Sequence, residues 1–171
     1  MTEIVYIKEN KPFPNNSLPV LYYPKRVTDL LAGSNSAEKV LALFEQNGYS
    51  NGWVNGIFPY HHFHATTHEV LACIAGKAVI QLGGPYEETC SFSKGDVLFL
   101  PAGTAHKKLE TSEDFKVVGA YPNGLEPDMQ KGEAENYEII KQMVASVAKP
   151  DKDPVEGEDG AVLKYWEKEY F

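Results

Sequence analysis

The feature of this sequence that most constrains its fold is the spacing of four potential metal ligands between Gly56 and His106. His62 and His64 are two residues apart, Glu69 follows five residues later, and His106 comes from much further along the chain. Residues i and i+2 of an extended strand point to the same side, so His62 and His64 project together. Three imidazoles and one carboxylate form a donor set that suits a divalent transition metal. The spacing therefore predicts that distant strands converge on one metal site.

Short apolar runs separated by glycine and proline turns surround these ligands and indicate a mainly β fold. Glu69 begins the run over 69–75, and further strands are expected near 78–82, 89–92, 97–100 and 115–121. In the first of these runs Glu69, Leu71 and Cys73 share one face, and the opposite face is also apolar. A strand that is apolar on both faces is covered on both faces. We therefore expect a helix, an arm or another subunit to cover the side that faces away from the ligands.

The two motifs that contain these ligands resemble those of the cupin superfamily. The pattern G-x5-H-x-H-x4-E-x6-G is matched by Gly56, His62, His64, Glu69 and Gly76 with every gap conserved. The pattern G-x5-P-x-G-x2-H-x3-N is matched at Gly95, Pro101, Gly103 and His106, but Glu110 stands where the family usually has Asn. The phrases PYHHFH, LPAGTAH and VVGAYP further resemble a branch of small cupins, the YjlB-like proteins. The resemblance implies a double-stranded β-helix, or jelly-roll barrel, with a few peripheral α-helices.

The chain is long enough for one domain, which we divide into five segments. These are an extended N-terminal arm over 1–33, a helix over 34–48, a barrel core with both motifs over 49–125, a C-terminal helix over 126–148, and an acidic loop with a packed tail over 149–171. Prolines exclude helix from much of the arm. Its apolar run Val20–Tyr23 is expected to form an edge strand or a packed strap. The alternative is an arm exchanged with a second subunit.

Other polar residues near the ligands are candidates for catalytic roles. Tyr60 shares the face of His62 and could hydrogen-bond a metal-bound group. Strand alternation places Lys108 and Glu110 inward with His106, where they could pair and Lys108 could meet an anionic substrate group. The alternative is a strand that twists or bulges and leaves both in solvent.

Two further histidines lie close to the ligands in sequence. His61 faces away from the ligand side by alternation, which favours a surface or interface role. His68 lies in the turn beside Glu69 and could touch the site or stand apart from it.

Composition excludes several classes of partner. The formal net charge is −8 and the only arginine is Arg26. This balance argues against nucleic acid, whose binding needs clustered positive charge, and against an anionic membrane surface. No apolar run is long enough to span a membrane, and no N-terminal stretch has the pattern of a signal peptide. We therefore expect a cytoplasmic protein, and the covered apolar faces lead us to expect a homodimer.

The resemblance implies one divalent transition metal (Fe, Mn, Ni, Zn or Cu) held by His62, His64, Glu69 and His106. Four protein ligands leave an open position on a metal that accepts five or six, which suits oxygen activation or Lewis-acid chemistry. The sequence thus favours a metal-dependent oxygenase or isomerase acting on a small carboxylate- or carbonyl-bearing molecule in the barrel. A fold alone does not determine function, so a non-catalytic cupin that binds a small molecule or a metal is the alternative. A deep barrel mouth would favour the enzyme, and a mouth plugged by aromatic side chains would favour the binding protein.

Overall fold

The computed structural model describes residues 1–166, which form nine strands in two antiparallel sheets with a few helices. The larger sheet has the order β1-β2-β7-β4-β9-β3 and the smaller has the order β6-β5-β8. The strands are β1 (Glu3–Ile7), β2 (Asn16–Tyr23), β3 (Tyr49–Asn55), β4 (Glu69–Ala75), β5 (Lys77–Leu82), β6 (Thr89–Ser93), β7 (Val97–Leu100), β8 (His106–Thr111) and β9 (Lys116–Pro122). The predicted mainly β class is confirmed.

The space between the two sheets is filled by side chains that alternate along the strands. Leu71 and Cys73 of β4, Leu98 of β7 and Ile80 of β5 all lie in this interior layer. The alternation predicted for β4 is therefore confirmed, and Glu69 at its start lies on the interior side.

The outer face of the larger sheet is covered by the chain itself. Val70, Ala72 and Ile74 of β4 pack under helix α1 (Ser36–Gln46) and a 3₁₀ helix (Thr28–Leu31). Near the C-terminus a short helix, α3 (Ala161–Tyr165), adds Trp166, whose ring stacks on Phe99 at 4.5 Å. The apolar outer face thus does not require a second subunit, and the homodimer stays a prediction. The part of the expected packed tail at 167–171 lies outside the described residues.

The N-terminal arm folds onto its own chain as two strands. β2 is not an edge strand, because β1 pairs with one side of it and β7 with the other. Pro19 is accommodated because β2 pairs with β7 only from Leu21 onward and its pairing with β1 is irregular opposite Pro19. A proline without an N–H is tolerated at such a break in the ladder.

The C-terminal helix is shorter than the sequence predicted. The segment 126–148 is helical only over α2 (Tyr137–Ala145). Gly132 and Asn136 both have positive φ, at 83° and 63°, a backbone conformation that an α-helix cannot contain. The preceding residues instead form a loop that reaches the ligand region.

None of the helices within residues 1–166 is long and apolar enough to cross a membrane.

Candidate metal centre

The structure brings His62, His64, Glu69 and His106 together at one end of the interior. We call these four residues the metal centre. Glu69 begins β4 in the larger sheet and His106 begins β8 in the smaller one, so the centre joins the two sheets. His62 exchanges two backbone hydrogen bonds with His106, at 3.2 and 2.9 Å. The segment that carries His62 thus pairs with β8 at this point, although it is too irregular to be a strand.

The distances between the donor atoms suit a single ion. The ligand nitrogens of the three histidines lie within 4.8 Å of one another. Glu69 Oε1 lies 3.4 Å from Nε2 of both His64 and His106. Two ligands of one Zn²⁺ at ordinary bond lengths are about 3.0 to 3.4 Å apart for octahedral or tetrahedral angles. All four side chains are buried, so the donor atoms are largely withdrawn from bulk solvent.

Each histidine of the metal centre is oriented by a backbone carbonyl that accepts from its Nδ1. His62 donates to Tyr60 O at 3.0 Å, His64 to Asp128 O at 2.5 Å, and His106 to Thr104 O at 3.1 Å. A proton on Nδ1 leaves the Nε2 lone pair available, which is the arrangement of metal-ligating imidazoles. The donor set and its orientation therefore fit one divalent transition metal.

The electrostatics of the metal centre favour the metal-binding forms of Glu69 and His62, whereas the raised pKa of His64 favours its protonated form. Burial would raise the pKa of Glu69, but His106 and His64 hold this pKa well below its ordinary value, so the carboxylate is ionised. Burial, with the charge of His106, lowers the pKa of His62 to about 3. Burial also lowers the pKa of His64, but Glu69 outweighs burial and leaves this pKa above its ordinary value.

A cavity of about 470 Å³ opens beside the metal centre. All four ligands line it, together with Lys108, Tyr121 and a largely apolar wall that includes Trp53 and Leu71. Aromatic side chains form part of the wall but do not plug the cavity. A space of this size is typical of a small-molecule site.

Of the predicted catalytic residues, only Lys108 lines the cavity. Lys108 stands opposite Ile80 in the β5–β8 ladder, and Glu110 stands opposite Val79, so Leu109 is left unpaired as a β-bulge. The bulge reverses the alternation, and Glu110 lies exposed on the outside of the smaller sheet. The prediction that Glu110 points inward with Lys108 is therefore wrong, because one extra residue in a strand turns the following side chains to the other face. No ion pair joins Lys108 and Glu110 among residues 1–166.

Tyr60 does not line the cavity. Its ring stacks on Phe58 with centroids 5.0 Å apart and meets the ring of His62 edge-on at 5.7 Å. Lys131 Nζ lies 4.8 Å from the centroid of the same ring. The contribution of Tyr60 that the structure defines is its carbonyl, which orients His62.

The two remaining histidines stand apart from the cavity. His61 faces away, as its position predicted, and its ring lies 5.6 Å from that of Phe13. His68 is buried, with Ala102 N donating to its Nδ1 at 2.8 Å and its Nε2 3.1 Å from Ala148 O. These two hydrogen bonds satisfy the neutral imidazole, so His68 is a structural residue of the outer layer rather than a ligand.

Sequence reasoning missed Tyr121 and Asp128. Tyr121 has a regular place, because β9 pairs with β4 and alternation puts it on the interior face beside Glu69. The alternation along β9 could be predicted from the sequence, but its pairing with β4 could not. The loop residue Asp128 has no periodic signal. Its carboxylate accepts from Ala65 N at 2.7 Å and from Thr66 N at 3.1 Å, which fixes the backbone next to His64.

A jelly-roll of two antiparallel sheets with both histidine motifs converging inside it defines the protein as a cupin. The chain is 36% identical over 168 residues to the uncharacterized protein YjlB of Bacillus subtilis, which covers 98% of each protein. It therefore belongs to the YjlB family. No protein-family model matches the chain.

Two solved structures of similar fold have low sequence identity and low TM-scores to this chain. Acireductone dioxygenase from Bacillus anthracis, with a cadmium ion in its active centre, is 15% identical with a TM-score of 0.43, covering 64% of this chain and 82% of that one. The QdtA 3,4-ketoisomerase from Thermoanaerobacterium thermosaccharolyticum is 16% identical with a TM-score of 0.43, covering 55% of this chain and 74% of that one. Similarities at this level carry no argument about the reaction of this chain.

Proposed function

We propose that this chain is a metal-dependent enzyme, an oxygenase or an isomerase, that acts on a small molecule bearing a carboxylate or carbonyl group. The observation that carries the proposal is the convergence of His62, His64, Glu69 and His106 on the wall of an open cavity. A closed, purely structural site would not need a cavity of about 470 Å³ next to it. The open cavity also supports an enzyme over a non-catalytic binding cupin, because a binding protein was expected to have a barrel mouth plugged by aromatic side chains.

The residues of this chain have distinct roles in the proposed site. The four ligands would hold one divalent ion, which when bound supplies Lewis-acid or redox chemistry. Lys108 places a positive charge in the cavity, and the apolar wall excludes water, which strengthens electrostatic interactions inside. The backbone carbonyls behind the histidines keep Nε2 directed at the site.

The metal-binding step is tested by elemental analysis of protein purified without added metal. We expect about one divalent metal per chain, and its loss in the double variant His62→Ala, His106→Ala. The matched control is His61→Ala, which removes a neighbouring imidazole that faces away from the centre. Unchanged metal content in the double variant would refute the proposed ligands, provided that circular dichroism shows both variants to be folded.

The enzymatic step is tested in two further experiments. Anaerobic loading with Fe(II) and addition of nitric oxide should give an iron-nitrosyl signal in electron paramagnetic resonance, because the centre keeps an exchangeable position. Oxygen uptake is then screened against diketones, thiols and hydroxy acids, and isomerisation is followed by nuclear magnetic resonance. Loaded iron that gives no nitrosyl signal would favour the non-catalytic binding alternative.

Two expectations from the sequence accompany this proposal. We propose that the protein acts in the cytoplasm, and that it forms a homodimer through a surface other than the outer face of β4, which its own helices cover.

A further inference from the structure

The charges that line the cavity indicate the charge of its ligand. Among residues 1–166, Lys108 is the one lysine or arginine in the lining, and Glu69 and Asp128 are its two carboxylates. With a divalent ion at the metal centre, these groups leave one net positive charge. Both oxygens of Asp128 are already in use, because Oδ1 accepts from Ala65 and Thr66 and Oδ2 accepts from Gln130. An anionic ligand therefore neutralises the net positive charge of the cavity, which a neutral or cationic ligand would not.

Tyr121 adds a hydrogen-bond donor to the cavity wall. Trp53 Nε1 donates to Tyr121 Oη at 2.8 Å, and an indole N–H can only donate. The phenol therefore accepts from Trp53 and has its own proton to donate elsewhere. Tyr121 shares the interior face of the β4–β9 ladder with Glu69 and lines the cavity. In this structure the phenol hydrogen-bonds the Glu69 carboxylate, and a ligand oxygen at the metal centre would compete for the same proton.

The position of Trp53 depends on the absence of a side chain at Gly119. Trp53 stands opposite Gly119 in the β3–β9 ladder, and a Cβ built on Gly119 would lie 2.3 Å from the indole. The glycine thus leaves room for the indole to lie across β9 and reach Tyr121 two residues further along. This arrangement sets the donor direction of Tyr121 before any ligand arrives.

The outer part of the cavity is mostly apolar, although Asn55 also lines it and is exposed. Val54, Phe58 and Met129, which we call the cavity mouth, line the cavity yet are 42%, 47% and 42% exposed. Ile57 and Leu71 continue this apolar wall inward as buried residues. Exposed apolar side chains that gather at one opening mark a surface that binds an apolar partner.

From these observations we propose that the ligand is a small amphiphilic anion. Its oxygen head group binds at the metal centre within reach of Lys108 and Tyr121, and its apolar part lies against the cavity mouth. This inference rests on the proposed function and narrows its substrate class from any polar carboxylate or carbonyl compound to one with an apolar substituent.

The inference is tested by calorimetric titration of the zinc-loaded protein with straight-chain 2-oxo acids, from pyruvate upward by one methylene at a time. We expect affinity to rise about three- to fourfold per methylene while the chain covers the cavity mouth. The corresponding methyl ester of each acid should bind at least about tenfold more weakly, since it lacks the charge.

Matched variants separate the head group from the apolar part. Phe58→Ala should reduce the gain per methylene and leave pyruvate binding nearly unchanged, whereas Leu125→Ala, an exposed leucine outside the cavity, should change neither. Lys108→Met should weaken all acids by a similar factor of about ten, and Lys107→Met, on the other face of β8, should not. Tyr121→Phe, which keeps the ring, should weaken all acids while preserving the dependence on chain length.

The outcomes distinguish this inference from the proposed function. Failure to bind zinc or any other divalent transition metal overturns the proposed function. Zinc-loaded protein that binds the acids without a chain-length dependence, binds the esters equally well, or binds none of these compounds overturns the inference alone.

Discussion

Replacing Asp128 by Ala is expected to weaken metal binding although the side chain of Asp128 contacts no ligand atom. His64 donates from Nδ1 to the backbone carbonyl of Asp128, and that carbonyl remains in the variant. What Asp128→Ala removes is the carboxylate that accepts from Ala65 and Thr66 and ties the loop to the chain next to His64. The backbone carbonyl of residue 128 is then no longer held in place, and the imidazole of His64 is no longer oriented by it.

The size of the effect follows from the hydrogen bonds that are lost. The Asp128 carboxylate accepts from Ala65 N at 2.7 Å, Thr66 N at 3.1 Å, Thr66 Oγ1 at 3.0 Å and Gln130 Nε2 at 2.9 Å. Hydrogen bonds to a charged group contribute roughly 1.5–3 kcal/mol each where water is excluded. Asp128 is half-buried, so water replaces part of this set, and we expect a total loss of about 2–3 kcal/mol in the free energy of unfolding. Loss of an outer partner of a metal-ligating histidine lowers affinity about 10- to 100-fold. Because Asp128→Ala keeps the carbonyl and removes only the carboxylate that fixes it, we expect zinc affinity to fall by about tenfold, the lower end of this range.

The assay is a competition titration of the protein against a zinc chelator, with urea unfolding of the metal-free protein in parallel. Asp128→Asn keeps an oxygen for Ala65 and Thr66, so its affinity should fall less than about tenfold. The matched control is Asp114→Ala, which removes an exposed carboxylate that accepts from Ser112 at 2.7 Å in a turn away from the cavity. Wild-type zinc affinity in a folded Asp128→Ala variant would refute the reasoning.

Three further predictions concern stability, pH and assembly. Asp153 is fully buried and accepts hydrogen bonds from Tyr23 Oη at 2.7 Å and from three backbone N–H groups. Asp153→Ala should therefore lower the free energy of unfolding in urea by about 3–5 kcal/mol, and an unchanged unfolding midpoint would contradict this prediction. Burial lowers the pKa of His68 to about 4 against an unfolded value of 6.5, so the unfolded chain takes up the proton first. The neutral His68 therefore contributes about 3 kcal/mol to the free energy of unfolding above about pH 6.5, and this contribution is lost as the pH falls toward 4. His68→Gln should reduce the dependence of the free energy of unfolding on pH in this range. Light scattering on a sizing column should give about twice the 19.0 kDa chain mass, and a monomer at micromolar concentration would exclude the homodimer.

The relative orientation of His62, His64 and Glu69 was the part of the candidate metal centre most accessible from the sequence, because local periodicity decides it. His62 and His64 are two residues apart on an extended segment, and Glu69 begins a strand whose interior face continues through Leu71. Both relations depend only on the side-chain alternation of extended backbone. The apolar run Val20–Tyr23 likewise indicated a segment that packs on the barrel, but that it lies as an inner strand between β1 and β7 was not readable from the sequence.

The surroundings of the metal centre depended on relations between segments that are distant in the chain. The bulge at Leu109 carries no glycine or proline signal, yet it turns Glu110 away from the cavity and leaves Lys108 in it. The register of β9 against β4 brings Tyr121 beside Glu69, and the loop before α2 brings Asp128 to His64.

What the sequence by itself determined, then, was the β class and the faces on which His62, His64 and Glu69 lie, since alternation along one strand is a property of the local backbone. Only the tertiary structure decided which residues complete the cavity. Ladder register, an unpaired residue in a strand and the path of an irregular loop are set by the packing of the whole chain, and no single stretch of sequence encodes them.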